Sequence, residues 1–425
     1  MDRGETASLV ITCQRPFPPA GGAALRNWQN INGLTSRGPV DVLSVGVEEG
    51  ASSLPGVREW KTFSWRQLLD GQSVSELLKR RLWPIRPGVH PAVDLFRQGL
   101  VRDWLRSRLS EFSYDVAVIE ELFLAGYAPV LQSAGCRVVY DAHNVESALH
   151  ADLTSDQKEG KVNGKERLLA RLRQDRIKKE EESIVRKADY VWTCSESDQE
   201  GVATLYGRSD GVSVVPNGVN FKAYGAADSV ESGADWSRYP LTVVFAGAYA
   251  YHPNAKAAKL LINEVYPRLR ERVPESRLVL VGRNPSKEMI AASLAEDGIE
   301  VTGEVPDVLP YLSQPCVVAV PLELGGGTRL KILEAFAVGR PVVSSQKGAE
   351  GIEASDGQHL MLREEPEELV DAIVQLWNDS GLRGRMVASA LDLVRETYSW
   401  ESAAKRIKAS LNGGEGSVGK AAASR

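Results

Sequence analysis

The sequence predicts an α/β protein built from two doubly wound halves. Two observations carry that prediction. Short continuous apolar runs alternate with longer helical stretches from end to end, and the runs fall into two series separated by a polar, turn-rich segment. Apolar runs of four to eight residues suit parallel strands covered on both faces, and strands alternating with helices make βαβ units. The length agrees. At 425 residues the chain exceeds the roughly 250–300 at which one core stops growing, so two or three domains are expected.

The first series is Leu9–Cys13, Val40–Val47, Val116–Leu122, Val138–Tyr140 and Tyr190–Cys194. Val212-Ser-Val-Val-Pro-Asn-Gly218 closes it, because Pro-Asn-Gly is a turn signal and a Gly/Ala-rich stretch follows. The second series is Leu241–Ala246, Arg277–Val281, Ile299–Thr302, Val317–Pro321 and Pro341–Ser344. The boundary is placed near residue 220, giving an N-terminal domain over 1–219 and a C-terminal domain over 220–398. A helix begins at Pro366-Glu367-Glu368, with proline in its first turn and acids at the positive end of its dipole. Leu369, Val370, Ile373, Leu376 and Trp377 continue it at helical spacing. A further helix is expected over 382–398. A last one over 399–411 carries Ala403, Ala404, Ile407 and Leu411 on one stripe, and the Gly/Ser/Ala-rich tail 412–425 is expected to be disordered. Residues 157–187 are dense in charge of both signs and read as a solvated helix or a partner-binding one.

Composition narrows the function classes. Apolar residues make up 43% and charged residues 25%, which excludes disorder for the bulk of the chain and collagen-like or coiled-coil designs. The net charge of -5 argues against nucleic acid as the main partner. The four cysteines form no CxxC pair, so zinc ribbons and redox pairs are excluded and reduced thiols are expected. The apolar run at Leu9–Cys13 is too short for a signal peptide, and no stretch approaches the roughly 20 apolar residues of a spanning helix. A cytoplasmic location is expected. Lys79-Arg-Arg-Leu-Trp-Pro-Ile-Arg86, with Trp60 and Trp65 nearby, reads either as peripheral contact with an anionic membrane or as a basic helix end.

The chemistry concentrates in one stretch, Pro321-Leu-Glu-Leu-Gly-Gly-Gly-Thr-Arg-Leu-Lys-Ile-Leu-Glu334. An apolar strand runs into Gly325, Gly326, Gly327 and Thr328, and a helix opens near Arg329. Glycines let the backbone approach a ligand closely, and the free amides of a helix's first turn make an anion site. Arg329 and Lys331 add two positive charges. The arrangement suits a diphosphate held without a required metal. The plain alternative is a glycine-rich turn with no ligand. Neither a Walker loop nor a GxGxxG fingerprint is present. Glu334 lies further along the same helix, where a carboxylate can accept two ribose hydroxyls. At the N-terminus, Gly21-Gly22 opens another helix after the first strand, a second possible anion site, with Arg26 one turn later. His143 follows a predicted strand at the carboxyl edge where open α/β sheets bind ligands. Asp141, Glu120 and Glu121 are weaker candidates at neighbouring strand ends, and Glu350 is another carboxylate.

The Gly325–Glu334 segment resembles the donor-binding signature of family 4 glycosyltransferases, retaining enzymes of the GT-B fold, in the subgroup with a GGGTRLK loop. Tyr140-Asp-Ala-His-Asn-Val-Glu146, Val215-Pro-Asn-Gly-Val219, Val281-Gly-Arg-Asn-Pro285 and Gly348-Ala-Glu-Gly-Ile352 extend the likeness over most of the chain. The resemblance implies two Rossmann-like domains facing across a cleft. The C-terminal domain would bind a nucleotide diphosphate sugar, UDP-sugar foremost, and the last helix would cross back to the N-terminal domain. It implies Gly247, Arg283 and Val305 around the donor, Gly21, Gly22 and Arg26 in a loop near the phosphate and acceptor, and His143 against the donor sugar. Two departures stand out. Many members carry a glutamate at the position of Gly326, and many place a phosphate-binding arginine and lysine after the strand that ends in Phe245-Ala-Gly247. Here Arg329 and Lys331 would do that work.

The expected reaction is transfer of a sugar to an acceptor hydroxyl with retention. His143, Arg329, Lys331 and Glu334 would act at the reacting centre, with no metal and no cofactor beyond the donor substrate. A sugar-nucleotide epimerase or a non-catalytic sugar-nucleotide binder are the rival readings. The base, the sugar, the acceptor and the oligomeric state are not specified by the sequence.

Overall fold

The computed structural model describes residues 6–19, 21–48, 56–70, 82–83, 89–156, 164–224 and 236–412. The predicted tail beyond Asn412 and most of Lys79–Arg86 lie outside these residues. The chain divides into two compact units. Unit 1 is Met1–Asn217 together with Ala403–Arg425, and unit 2 is Gly218–Ser402.

Unit 1 contains a parallel sheet of β1 (Ser8–Thr12), β2 (Val40–Val45), β3 (Glu59–Phe63), β4 (Val116–Glu120), β5 (Arg137–Ala142), β6 (Tyr190–Thr193) and β7 (Val212–Val214). Their order across the sheet is β3-β2-β1-β4-β5-β6-β7. β1, β2 and β4 are buried at every residue, which is why they read as mostly apolar runs, with Asp41 and Ser44 of β2 and Glu120 of β4 among the buried polar exceptions. β3 has no such run. Its sequence, Glu-Trp-Lys-Thr-Phe, sits at the sheet edge with only Phe63 fully buried, so nothing demands continuous apolar side chains.

Unit 2 repeats the plan with β8 (Thr242–Ala246), β9 (Arg277–Val281), β10 (Ile299–Gly303), β11 (Val317–Val320), β12 (Val342–Ser344) and β13 (Met361–Leu362), in the order β10-β9-β8-β11-β12-β13. Each sheet therefore reverses its winding once, between β1 and β4 in unit 1 and between β8 and β11 in unit 2. Loops leaving those strand pairs diverge to opposite faces and open a crevice at the carboxyl edge, the place where doubly wound sheets take ligands.

Three helices carry contacts that bear on the sequence-based expectations. The charged stretch folds as a helix over Gly164–Lys187. One of its glutamates is not solvated. Glu181, 1% exposed, accepts hydrogen bonds from the backbone N–H groups of Glu146 and Ser147 at 2.7 and 2.9 Å and from the Tyr206 hydroxyl at 2.6 Å. It thus supplies from another helix the acceptor that the start of the Glu146–Asp156 helix needs. The predicted Pro366 helix runs to Asn378, opened by reciprocal Glu365 and Glu368 contacts. The last helix is Trp400–Asn412, with Ala403, Ile407 and Leu411 buried. Ser410 Oγ accepts from Trp192 Nε1 at 2.9 Å, and the Leu411 carbonyl accepts from Arg137 at 3.3 Å.

No helix among the described residues is long and apolar enough to cross a membrane. The three tryptophans of the basic-aromatic reading are engaged within unit 1. Trp60 donates to Ser44 at 2.9 Å, the Trp65 ring lies 5.1 Å from Phe96, and Trp83 is covered by the guanidinium groups of Arg173 and Arg176 at 5.3 and 5.1 Å.

Candidate active site

In unit 2 the chain leaves β11 into the glycine-rich loop and leaves β8 into Gly247, so both flank the switch point. Gly325 and Gly327 have φ of 105° and 75°, conformations that glycine enters without strain. A Cβ on Gly325 would lie 2.8 Å from the Tyr251 hydroxyl. The loop is pinned on two sides. Ser345 Oγ donates to the Leu322 carbonyl at 2.5 Å, and Lys256 pairs with Glu323 at 3.0 Å. Arg329, 7% exposed, caps the Leu330–Ala337 helix and donates back to the Gly326 carbonyl.

Lys331 stands in the first turn of that helix. Its ammonium donates to Asn254 Oδ1 at 2.8 Å and lies 4.2 Å above the Phe245 ring. Asn254 also fills the space beside Gly247, where a Cβ would fall 2.9 Å from its Cγ. Gly247, Asn254 and Lys331 are thus brought together. Burial, aided by the positive charge of Arg329, pulls Lys331 down to about 7. Glu334, one turn on, accepts from the Tyr224 hydroxyl at 3.1 Å. Burial pushes it up to about 7, against the Tyr224 hydrogen bond and the Lys331 charge.

The other donor-side candidates are placed differently. Gly282 approaches so closely that a Cβ there would sit 1.9 Å from the Gly247 carbonyl oxygen, so β8 and β9 leave the sheet in contact. Arg283 is exposed; its carbonyl accepts the Tyr249 N–H at 3.0 Å. Val305 packs half-buried against the apolar core of the unit. Glu350 pairs with Lys347 at 2.7 Å. Tyr224, Tyr251 and Asn254 are site neighbours that sequence reasoning misses. Nothing in a lone tyrosine or asparagine marks it, and only the proximity of Asn254 to Gly247 along the chain could have pointed there.

In unit 1, Gly21 has φ of 110° and precedes the Gly22–Thr35 helix. Arg26 does not face outward as an anion ligand. It is 2% exposed and its guanidinium is spent inside the unit. Nε and Nη2 donate to the two oxygens of Asp141 at 2.7 and 2.5 Å, and Nη1 donates to the Val215 carbonyl and Asn217 Oδ1 at 2.8 Å. Its position one turn into a helix that packs on β1 and β2 aims it at the sheet. His143 Nε2 lies 3.0 Å from Glu120 and 3.3 Å from Asp141, while Nδ1 lies 3.9 Å from Glu121. Burial opposes a charge on this ring, but hydrogen bonds to Asp141 and Glu120 outweigh it and raise His143 to about 10. Burial and the neighbouring Asp141 push Glu120 up to about 8. Asp141 is driven the other way, because Arg26 and His143 overcome its burial. Glu121 adopts φ of 73°, unusual for a side-chain-bearing residue, at the carboxyl end of β4.

Glu120, Asp141 and His143 are close enough to share a metal ion. Arg26 and Asn30 already occupy Asp141, Asn30 reaching Oδ2 at 2.9 Å, so the donor set suits a buried charge network better than a cation.

Comparison with known proteins bears on the family and the fold. Residues 21–218 match the model of the glycosyl transferase 4-like domain, and residues 240–379 match that of glycosyl transferases group 1. A phosphatidyl-myo-inositol mannosyltransferase of Mycobacterium leprae is 32% identical over 208 residues, which is 47% of this chain and 52% of that protein. The chain thus spans about half the length of this curated relative. Two solved structures share the fold over nearly all of the chain. Sucrose-phosphate synthase from Thermosynechococcus elongatus has a TM-score of 0.70 at 15% identity, covering 97% of this chain and 99% of its own. Anabaena HepE in complex with UDP-glucose has a TM-score of 0.66 at 16% identity, covering 96% and 99%. With two parallel-sheet α/β units in the GT-B manner and the two family matches spanning most of its length, the chain belongs to the family 4 glycosyltransferases.

Proposed function

We propose that the protein transfers a sugar from a nucleotide diphosphate sugar, a UDP-sugar, to an acceptor hydroxyl with retention at the anomeric carbon. One observation carries the reading. The left-handed glycine loop, Arg329, Lys331 and Glu334 converge at the switch point of unit 2, where a diphosphate and a ribose would need them. The UDP-glucose complex of HepE supports the donor class, and the mannosyltransferase relative supports sugar transfer.

In this reading the loop amides, Arg329 and Lys331 take the negative charge that grows on the leaving diphosphate, the largest share of the catalytic effect. No divalent metal is required, because two cationic side chains already stand there. Glu334 accepts the ribose hydroxyls. The acceptor hydroxyl attacks from the face that the diphosphate leaves, and a phosphate oxygen takes its proton. His143, held by Glu120 and Asp141, acts on the donor sugar as a hydrogen-bond donor.

The test is a screen of nucleotide sugars against candidate hydroxyl acceptors in EDTA, with the product's anomeric configuration read by NMR. A product of unchanged configuration, formed without added metal, supports the proposal. Inversion or strict metal dependence would overturn that part of it. Epimerisation of the donor alone would replace the proposal by the rival reading.

A further inference from the structure

Three elements of unit 2 meet at the Lys331 ammonium. The Leu330–Ala337 helix supplies Lys331 itself. β8 supplies the fully buried Phe245 ring, 4.2 Å from Nζ. The His252–Leu260 helix supplies Asn254 in its first turn, and Asn254 Oδ1 accepts from Nζ at 2.8 Å. The other half of that amide is engaged as well. Nδ2 donates to the Ala248 carbonyl at 3.0 Å, and the backbone N–H of Asn254 donates to the Tyr251 carbonyl at 3.0 Å. Asn254 is buried, so its side chain has little room to turn elsewhere.

The chemistry on the two sides of this amide is specific. An ammonium only donates and a carbonyl only accepts, so the side chain between them must offer one acceptor and one donor. Asparagine offers both without a charge. Aspartate would meet the Ala248 carbonyl with a second acceptor and would neutralise Lys331. Leucine offers neither group. Gly247 belongs to the same arrangement, because a Cβ there would fall 2.9 Å from Asn254 Cγ and push the amide off Lys331. Between Ala246 and Ala255 the chain has no arginine or lysine, and the next cation, Lys256, pairs with Glu323 at 3.0 Å. What this helix start brings to the site is an acceptor that fixes another element's cation.

Resting on the reading of Lys331 as a cation for the leaving diphosphate, we propose that Asn254 is a positioning residue, which aims the Lys331 ammonium over the face of Phe245 and leaves its charge undiminished for the diphosphate. A ring face holds a cation without neutralising it, and an amide oxygen does the same. A lysine on its flexible four-carbon stem otherwise spreads over many rotamers, whereas charge stabilisation needs the donor in place before the charge develops. Besides burial, which lowers it most, Lys331 responds to Arg329, which lowers it, and to Glu334, which raises it. Both belong to its own loop and helix, while β8 and the His252–Leu260 helix face it with a ring and an amide.

Calorimetric titration of the full chain with UDP tests this through a double-mutant cycle. Asn254→Ala should weaken UDP binding by about tenfold or more, the scale of a hydrogen bond to a charged group. In a Lys331→Met background the same substitution should change it by less than about twofold, because a residue that acts through Lys331 then has nothing to act on. Equal losses in both backgrounds mark a purely structural role and overturn the proposal, as does unchanged binding in Asn254→Ala. Asn254→Asp keeps the size of the side chain and carries the test if Asn254→Ala does not fold. Its carboxylate should hold the proton on Lys331 and move the alkaline fall of UDP affinity up by about one pH unit or more; a fall that stays in place overturns the proposal. A wild-type protein that does not bind UDP sinks the donor reading and this proposal with it. Equal losses in a protein that does bind UDP remove Asn254 alone and leave the donor reading intact.

Discussion

Lys331 and Glu334 stand one helical turn apart, and burial brings both to about pKa 7 from opposite sides. Each has a preferred state for the donor: Lys331 charged against phosphate, Glu334 charged against ribose hydroxyls. Affinity for UDP should therefore rise with pH up to about 7 as Glu334 ionises, and fall above 7 as Lys331 loses its proton. Each limb follows one proton, so its slope approaches tenfold per pH unit. Calorimetric titration across pH should show the peak. Glu334→Gln should flatten the acid limb and Lys331→Met the alkaline one. Lys331→Ala should also cost on the order of 100-fold in kcat, as loss of one charge-stabilising donor does; a wild-type kcat would remove Lys331 from the mechanism. Arg26 tells the opposite story. Arg26→Met leaves buried Asp141 with only His143 and Asn30 as partners, which should cost stability, up to about 3–5 kcal/mol by denaturant melts. Asp141 is held below its ordinary value, so its contribution is present above about pH 4 and is lost only as strong acid protonates it. The sequence showed Lys331 and Arg26 alike, as cations just after a glycine pair or triplet. It could not show that one helix start faces the crevice while the other turns its arginine into the sheet.

At the scale of elements, the strands that flank each switch point were legible, because a strand covered on both faces is mostly apolar. Edge strands were not. β3 alternates as a half-exposed strand does, and β13 has two residues, too few for any pattern. The charged helix shows the same limit. Glu181 sits among lysines, arginines and other glutamates, and nothing local separates it from them. In the fold it is the acceptor for the start of the helix that follows His143. Glu181→Ala should strand these backbone donors and cost about 1–3 kcal/mol. A larger loss of kcat/KM than of stability would show that the helix start, and His143 with it, has shifted.

For the whole molecule, a net charge of -5 argued against nucleic acid as the main partner. That average hid a concentration of positive charge at the Gly325 loop, where Arg329 and Lys331 stand. Ligand binding tests it at this scale. UDP at about 100 times its dissociation constant should stabilise the protein by about 2.7 kcal/mol through mass action, visible as a raised thermal transition; no shift with any nucleoside diphosphate would count against the donor site. The last helix is the other whole-molecule feature. Ile407→Ala should destabilise the fold by about 2–5 kcal/mol, measured by denaturant unfolding followed through tryptophan fluorescence, since Ser410 holds Trp192.

That helix also sets an order of assembly. Unit 1 is written at both ends of the chain, and the roughly 185 residues of unit 2 are translated in between. At about 5–20 residues per second, the ribosome takes roughly 10–40 s to cross them. Throughout that interval the first sheet exists without Ile407 and Leu411, and Trp192 lacks its partner serine. Unit 2 can close as soon as Ser402 emerges, while the unit begun first is finished last. A nascent chain stalled before Ala403 should hold a complete second unit beside an uncovered first one, and that uncovered seam is where a chaperone would be needed.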